Sequence, residues 1–197
     1  MNIANRLTLF RIALIPVIVL VYIFPYNQFG IEVGYETVGH VILTHQKIAI
    51  FVLFAVASFT DFLDGYLARS RNMITTFGKF LDPIADKMLV NTLFILFAVE
   101  GVVPVVAVII MIWRDTIVDA LRMLLSQKGM VMAAGYLGKA KTVFQMLAII
   151  MVLLNNLPFE LQGIPMASIM VWFATLLSVL SGVSYVMQSR SFFANEA

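Results

Sequence analysis

Six apolar runs, each close to the ~20 residues that cross a bilayer core, divide this chain and leave little polar sequence between them. They fall at about residues 7–25, 46–67, 83–100, 103–126, 140–157 and 164–187. Between them, residues 26–45 mix Tyr, Asn, Gln, Gly, Glu and His, residues 68–82 are basic, and residues 127–139 carry Lys128, Lys139 and glycines. Leu157-Pro158 and Ile164-Pro165 bracket a short turn. Only 12% of the 197 residues are charged and the mean hydropathy is +0.97, against about 25% charged residues in a soluble domain. The expected fold is all-α: a polytopic integral membrane protein of six transmembrane helices with a short N-terminal amphipathic segment. No linker, low-complexity tract or repeat interrupts it, so residues 1–197 read as one domain. The first run lacks a small-residue cleavage site and is expected to stay as a span. Absence of cysteine excludes disulfides, thiolate catalysis and Cys-ligated zinc.

Charge is sorted along the chain. Arg6, Arg11, Arg69, Arg71, Lys79, Lys87, Arg114, Arg122, Lys128, Lys139, Lys141 and Arg190 fall at the same ends of the runs, and only Lys47 falls at the other. All six aspartates lie with the basic residues, while Glu32, Glu36, Glu100 and Glu160 lie opposite. The positive-inside rule then puts both termini and the aspartates on the cytoplasmic side. A basic surplus so placed fits membrane lipids as partners and gives no reason to expect nucleic acid.

Within this apolar chain, residues 61–87 read DFLDGYLARSRNMITTFGKFLDPIADK. Asp61, Asp64, Gly65 and Ala68 are spaced to share one helix face at the end of the second run. Gly78, Asp82 and Asp86 make a second such stripe entering the third run, and Pro83 suits a helix start near Asp82. If the two helices pair, the stripes gather four carboxylates beside small residues that let a ligand approach the backbone. Carboxylates at membrane depth are costly and need compensation. Hard divalent ions with oxygen shells, Mg²⁺ or Mn²⁺, are the natural partners. Two such ions beside basic residues point to phosphoryl chemistry, with a remaining aspartate as base. The alternative is helix-end ion pairing with Arg69, Arg71, Lys79 or Lys87, which suits one aspartate better than four on matched stripes. A divalent-cation transporter is a further alternative, but it calls for groups near the bilayer midplane with access from both sides.

The pattern D-x2-D-G-x2-A-R-x8-G-x3-D-x3-D resembles the signature of the CDP-alcohol phosphotransferases, membrane enzymes that move a phosphatidyl or related group from a CDP-linked donor to an alcohol. Asp61, Asp64, Gly65, Ala68, Arg69, Gly78, Asp82 and Asp86 fill every signature position. The resemblance implies that Asp61, Asp64 and Asp82 hold two divalent ions, and that Asp86 is the base and also touches metal. It implies that Asp61, Asp64, Gly65, Ala68, Arg69 and Gly78 bind the CDP group, and that the protein is a homodimer in a bacterial plasma membrane.

The acceptor has to be read outside the signature. Asn5, Thr8 and Arg11 form an N-x-x-T-x-x-R pattern ahead of the first run. Gly138-Lys139-Ala140-Lys141-Thr142 precedes Gln145-Met146, and Trp113-Arg114-Asp115 precedes Leu121-Arg122. These elements resemble the branch of the family that uses glycerol 3-phosphate, except that Asp115 stands where glutamate is usual. Arg114, Lys139 and Lys141 are thereby expected to bind the acceptor's phosphate, arginine through its planar fork and lysine as a compact charge. Read without the resemblance, they are positive-inside residues and lipid contacts. Asn5 and Thr8 either contact the cytidine or cap an amphipathic helix on the membrane surface. CDP-diacylglycerol and glycerol 3-phosphate are the implied substrates, with inositol phosphate or serine as alternative acceptors. His40, His45, Trp113, Trp172 and Tyr185 are assigned no chemistry, and Arg11 and Arg122 are read as positive-inside residues.

Overall fold

A computed structural model describes residues 3–70, 76–127 and 135–193. The apolar runs become six long helices: α1 (Ile3–Ile23), α2 (His45–Ser70), α3 (Thr76–Val99), α4 (Val105–Gln127), α5 (Tyr136–Leu153) and α6 (Met166–Phe193). The amphipathic segment expected ahead of α1 is not a separate element among the described residues. No helix breaker interrupts residues 3–15, and Asn5, Thr8 and Arg11 are buried, so this stretch packs as the first turns of α1. Likewise α3 starts at Thr76, and Pro83 sits inside it rather than in its first turn. Proline inside a bundled membrane helix is tolerated where neighbours satisfy the freed backbone groups.

Residues 26–45, the polar interruption between the first two runs, contain a hairpin that qualifies the all-α expectation. Strand β1 (Tyr35–Val38) pairs antiparallel with β2 (Val41–Thr44), Tyr35 opposite Thr44 and Val38 opposite Val41. Valine, isoleucine and threonine favour the extended backbone. The Gly39-His40 turn puts Gly39 at φ +64, a conformation glycine adopts without strain. Val41 and Leu43 are buried against the bundle while β1 is exposed throughout.

Two three-helix groups make up the bundle: α1 packs on α2 and α3, and α6 packs on α4 and α5. They meet where α3 contacts α4 and α5 and α2 contacts α5. Ile18, Ile50, Leu93, Phe97, Met111 and Ile149 fill the centre, and Ala57, Ala107, Ala148 and Ala174 let backbones approach closely. In lipid such close packing, not water exclusion, holds helices together. The outer surface carries Val52, Phe59, Phe62, Val106, Trp172 and Leu176, an apolar exterior that requires a lipid surround.

Among the described residues, four segments are long and apolar enough to cross a membrane: Asn5–Ile23, His45–Tyr66, Tyr136–Leu153 and Met166–Arg190. Helices α3 and α4, 24 and 23 residues long, do not qualify on the same terms. The reason is their charge: Asp82, Asp86 and Lys87 on α3, and Arg114, Asp115, Asp119 and Arg122 on α4. Those charges lie against partners on neighbouring helices, and that pairing builds the site.

Candidate active site

Three helices each bring two polar side chains, one turn apart, to a common point: Thr8 and Arg11 from α1, Asp61 and Asp64 from α2, Asp82 and Asp86 from α3. Arg11 Nη1 lies 2.9 Å from Asp61 Oδ1 and 2.6 Å from Asp86 Oδ1, and Nη2 lies 2.6 Å from Asp64 Oδ2. Thr8 Oγ1 donates to Asp82 Oδ1 at 2.7 Å and to Asp64 Oδ2 at 3.4 Å. Arg11 is 0% exposed and the Asp64 side chain 4%, whereas Asp61 at 37% and Asp86 at 47% are open on one side. The cluster therefore has a closed back wall of Thr8, Arg11 and Asp64 and an open front of Asp61 and Asp86.

The two aspartate stripes converge as their spacing requires, but the cation between them is one the sequence reading had set aside as a positive-inside residue. Lys87, named there as a candidate partner, instead pairs with Asp119 of α4. Arg71 and Lys128 lie outside the described residues, as do the side chains of Ala68, Arg69 and Lys79. Gly65 follows Asp64 on α2, Gly78 is buried one turn before Asp82, and Asn5 is buried one turn before Thr8. Asn5 and Thr8 both lie inside α1, and Thr8 donates to Asp82.

Among the described residues, no three acidic or histidine side chains stand in metal-holding geometry. The guanidinium of Arg11 lies between the carboxylates that would have to close up. The donor chemistry nevertheless fits a hard divalent ion. Three carboxylates pair with one guanidinium and the fourth, Asp82, accepts from Thr8, so among the described residues negative charge is in excess, and the ligand atoms are all oxygen.

The second helix group carries a complementary cluster. Asp115, buried, accepts hydrogen bonds from Lys141 Nζ at 2.7 Å on both oxygens and from Arg114 Nη1 at 2.8 Å. Arg114 Nη2 also donates to Ser181 Oγ on α6. Arg122 donates to the Tyr185 hydroxyl, which accepts the Gly135 N–H at 3.1 Å as well. The Tyr185 ring lies 4.8 Å from the Arg122 guanidinium carbon and 5.8 Å from that of Arg114, within cation–π range. Thus Arg114 and Lys141 are joined through Asp115. Lys139 stands apart, exposed, with its ammonium 6.0 Å from the Tyr136 ring.

Cavities connect the two clusters. One of about 200 Å³ is lined by Asp86, Lys87, Asn91, Asp115, Lys141 and Gln145, among others. A second, also about 200 Å³, is lined by Arg114, Asp119, Arg122 and Lys139 and shares Lys87, Asp115, Lys141 and Thr142 with the first. An aspartate with an open face thus looks across a small cavity, walled in part by Pro83 and Val90, toward Lys87 and Lys141. Such a space suits a small phosphorylated alcohol on one side and a reacting phosphate on the other.

Sequence reasoning missed Arg11, Ser181 and Tyr185 and left Asp115 undecided. Arg11 had a signal: it follows Thr8 by three residues in an otherwise apolar helix, so both share the face that Asn5 begins. Ser181 and Tyr185 received no role from the sequence, because which serine or tyrosine faces a partner depends on tertiary packing.

Residues 1–180 match the family model described as CDP-alcohol phosphatidyltransferase. Among curated relatives, the CDP-diacylglycerol–glycerol-3-phosphate 3-phosphatidyltransferase of Bacillus subtilis (strain 168) is 44% identical over 184 residues, 93% of each chain. The protein of the same name from Escherichia coli (strain K12) is 34% identical over 96% of each chain. That from Rickettsia bellii (strain RML369-C) is 32% identical over 98% of this chain and 97% of the relative. With its aspartate signature converging at one end of the bundle and its length matched almost throughout, the chain belongs to the CDP-alcohol phosphatidyltransferase family.

Proposed function

We propose that this enzyme transfers the phosphatidyl group of CDP-diacylglycerol to glycerol 3-phosphate, forming phosphatidylglycerophosphate and releasing CMP. The observation that carries the reading is the pair of adjoining cavities running from Asp86 past Asp115 and Lys141 to Arg114. The names of the relatives support the same substrates.

The family is as a rule divalent-cation dependent. Asp61, Asp64 and Asp82, with Asp86 shared, are the residues that would hold two Mg²⁺ or Mn²⁺ ions. When bound, these supply Lewis-acid polarisation of the donor diphosphate. The chain's own residues do the rest. Gly65, Ala68, Arg69 and Gly78, together with Asn5 and Thr8, bind the CDP group. Arg114, Lys139 and Lys141 hold the acceptor phosphate, and Asp115 fixes the first and last of these. The acceptor's primary hydroxyl then faces Asp86, which takes its proton as the oxygen attacks the phosphatidyl phosphorus. The bond from that phosphorus to the CMP phosphate oxygen breaks, and CMP leaves.

We further read α3 and α4 as spans, giving six, because their charges are paired inside the bundle and their lengths suffice for a bilayer core. One-sided basic residues orient the site and both termini toward the bacterial cytoplasm, and homodimerisation follows by resemblance to the family. Asp61→Asn and Asp82→Asn test the reaction centre directly. Both variants are expected to fold in detergent and to release no CMP. Retained turnover in either would remove the carboxylates from the chemistry.

A further inference from the structure

Arg114 crosses from α4 to α6 over a glycine. A Cβ built on Gly182 would stand 2.9 Å from Arg114 Cγ, well inside the 3.5–4.0 Å at which carbon atoms pack. Glycine inside a helix is an unfavourable choice on backbone grounds, and here its bare backbone leaves a channel for the arginine's aliphatic stem. One residue earlier, Ser181 is 1% exposed and its hydroxyl accepts from Arg114 Nη2. From the other side, a Cβ on Gly138 of α5 would lie 3.7 Å from Arg114 Nη2, an ordinary contact. The guanidinium is therefore fixed on two of its nitrogens, by Asp115 at Nη1 and Ser181 at Nη2, with the stem guided past Gly182.

We propose that Ser181 and Gly182 are positioning residues for the acceptor phosphate: Gly182 admits the stem of Arg114 and Ser181 aims its guanidinium into the polar space beside Lys139 and Lys141. This rests on the reading of Arg114 as an acceptor-phosphate group. A flexible arginine would have to be ordered each time the acceptor binds. One held on α6 presents its fork beforehand, and preorganisation improves binding by removing that ordering cost. A side chain at 182 forces the stem off this path. Loss of the Ser181 hydroxyl frees the guanidinium to rotate about its stem.

The test is steady-state CMP release by the full-length protein in detergent, with each substrate varied in turn, for Arg114→Ala, Gly182→Ala, Ser181→Ala and the lipid-facing control Leu180→Ala. Leu180 is 47% exposed on the same helix. Gly182→Ala and Ser181→Ala are expected to raise the KM for glycerol 3-phosphate by about ten-fold or more, the scale of a lost charge-assisted hydrogen bond. The KM for CDP-diacylglycerol and the melting midpoint should stay at wild-type values. If Arg114→Ala raises the KM for glycerol 3-phosphate but neither α6 variant does, the positioning role is wrong while the acceptor reading stands. If Arg114→Ala leaves that KM unchanged, the acceptor reading itself is wrong. An equal rise in Leu180→Ala would mark a general disturbance of α6 and overturn the proposal. Should Gly182→Ala fail to fold, Ser181→Ala, which only removes an oxygen, decides alone.

Discussion

Replacing Arg11 with methionine removes the cation that joins α1, α2 and α3 at the aspartate cluster, while keeping a long unbranched side chain. The Asp64 pair is fully buried at 2.6 Å, and removing one partner of such a pair costs about 3–5 kcal/mol. Asp61 and Asp86 are each more than a third exposed, so their pairs with Arg11 add little, as for surface ion pairs worth ~0–1 kcal/mol. We therefore expect the lower end, about 3 kcal/mol, which at ~2–4 °C per kcal/mol for a chain of this size lowers the midpoint by roughly 6–12 °C. The assay is thermal unfolding in detergent with a chelator, followed by the fluorescence of Trp113 and Trp172. Arg11→Lys should fall between, because one ammonium does not fork to three carboxylates. Mg²⁺ should raise the midpoint of Arg11→Met more than that of wild type, since among the described residues the variant's carboxylates keep no paired cation. A chelated Arg11→Met midpoint within about 2 °C of wild type, a shift too small for a lost buried pair, would refute the assignment of Arg11 as the cluster's internal counter-ion.

Two further outcomes follow from the same pairings. Asp115→Ala leaves Lys141 buried without its carboxylate and frees Arg114. It should destabilise the protein by about 3–5 kcal/mol and raise the KM for glycerol 3-phosphate, read by thermal unfolding and CMP release on one preparation. Chelation should abolish turnover without unfolding the wild-type protein, because Arg11 keeps the three helices joined, and added Mg²⁺ or Mn²⁺ should restore it. Turnover that persists in chelator would remove divalent ions from the reaction.

Helix positions and the aspartate stripes were legible because each depends on periodicity alone. Asp61 and Asp64, and Asp82 and Asp86, are one turn apart wherever their helices lie, so their convergence needed only that α2 and α3 come together. The identity of their partner was not legible. Arg11 and Lys87 look alike in a charge count, and only the packing of α1 against α2 and α3 brings Arg11 to the cluster while Lys87 goes to Asp119. Asp115 shows the same limit. Its neighbour Arg114 was visible in the chain, but its second partner, Lys141, is on another helix, and their meeting requires α4 and α5 to share an interior face. The hairpin at 35–44 was missed for a local reason: a short strand pair amid polar residues leaves a weak period-two pattern, and Gly39 marks the turn only once the strands are known.

Acceptor identity is the central claim, and it is tested most directly by CMP release from CDP-diacylglycerol by the purified wild-type protein, with glycerol 3-phosphate, inositol phosphate and serine supplied in parallel. The account predicts release with glycerol 3-phosphate, matched mole for mole by incorporation of labelled acceptor into lipid, and only background with the other two. Release supported equally well or better by serine, which carries no phosphate for Arg114 and Lys141 to hold, or by inositol phosphate, would contradict it.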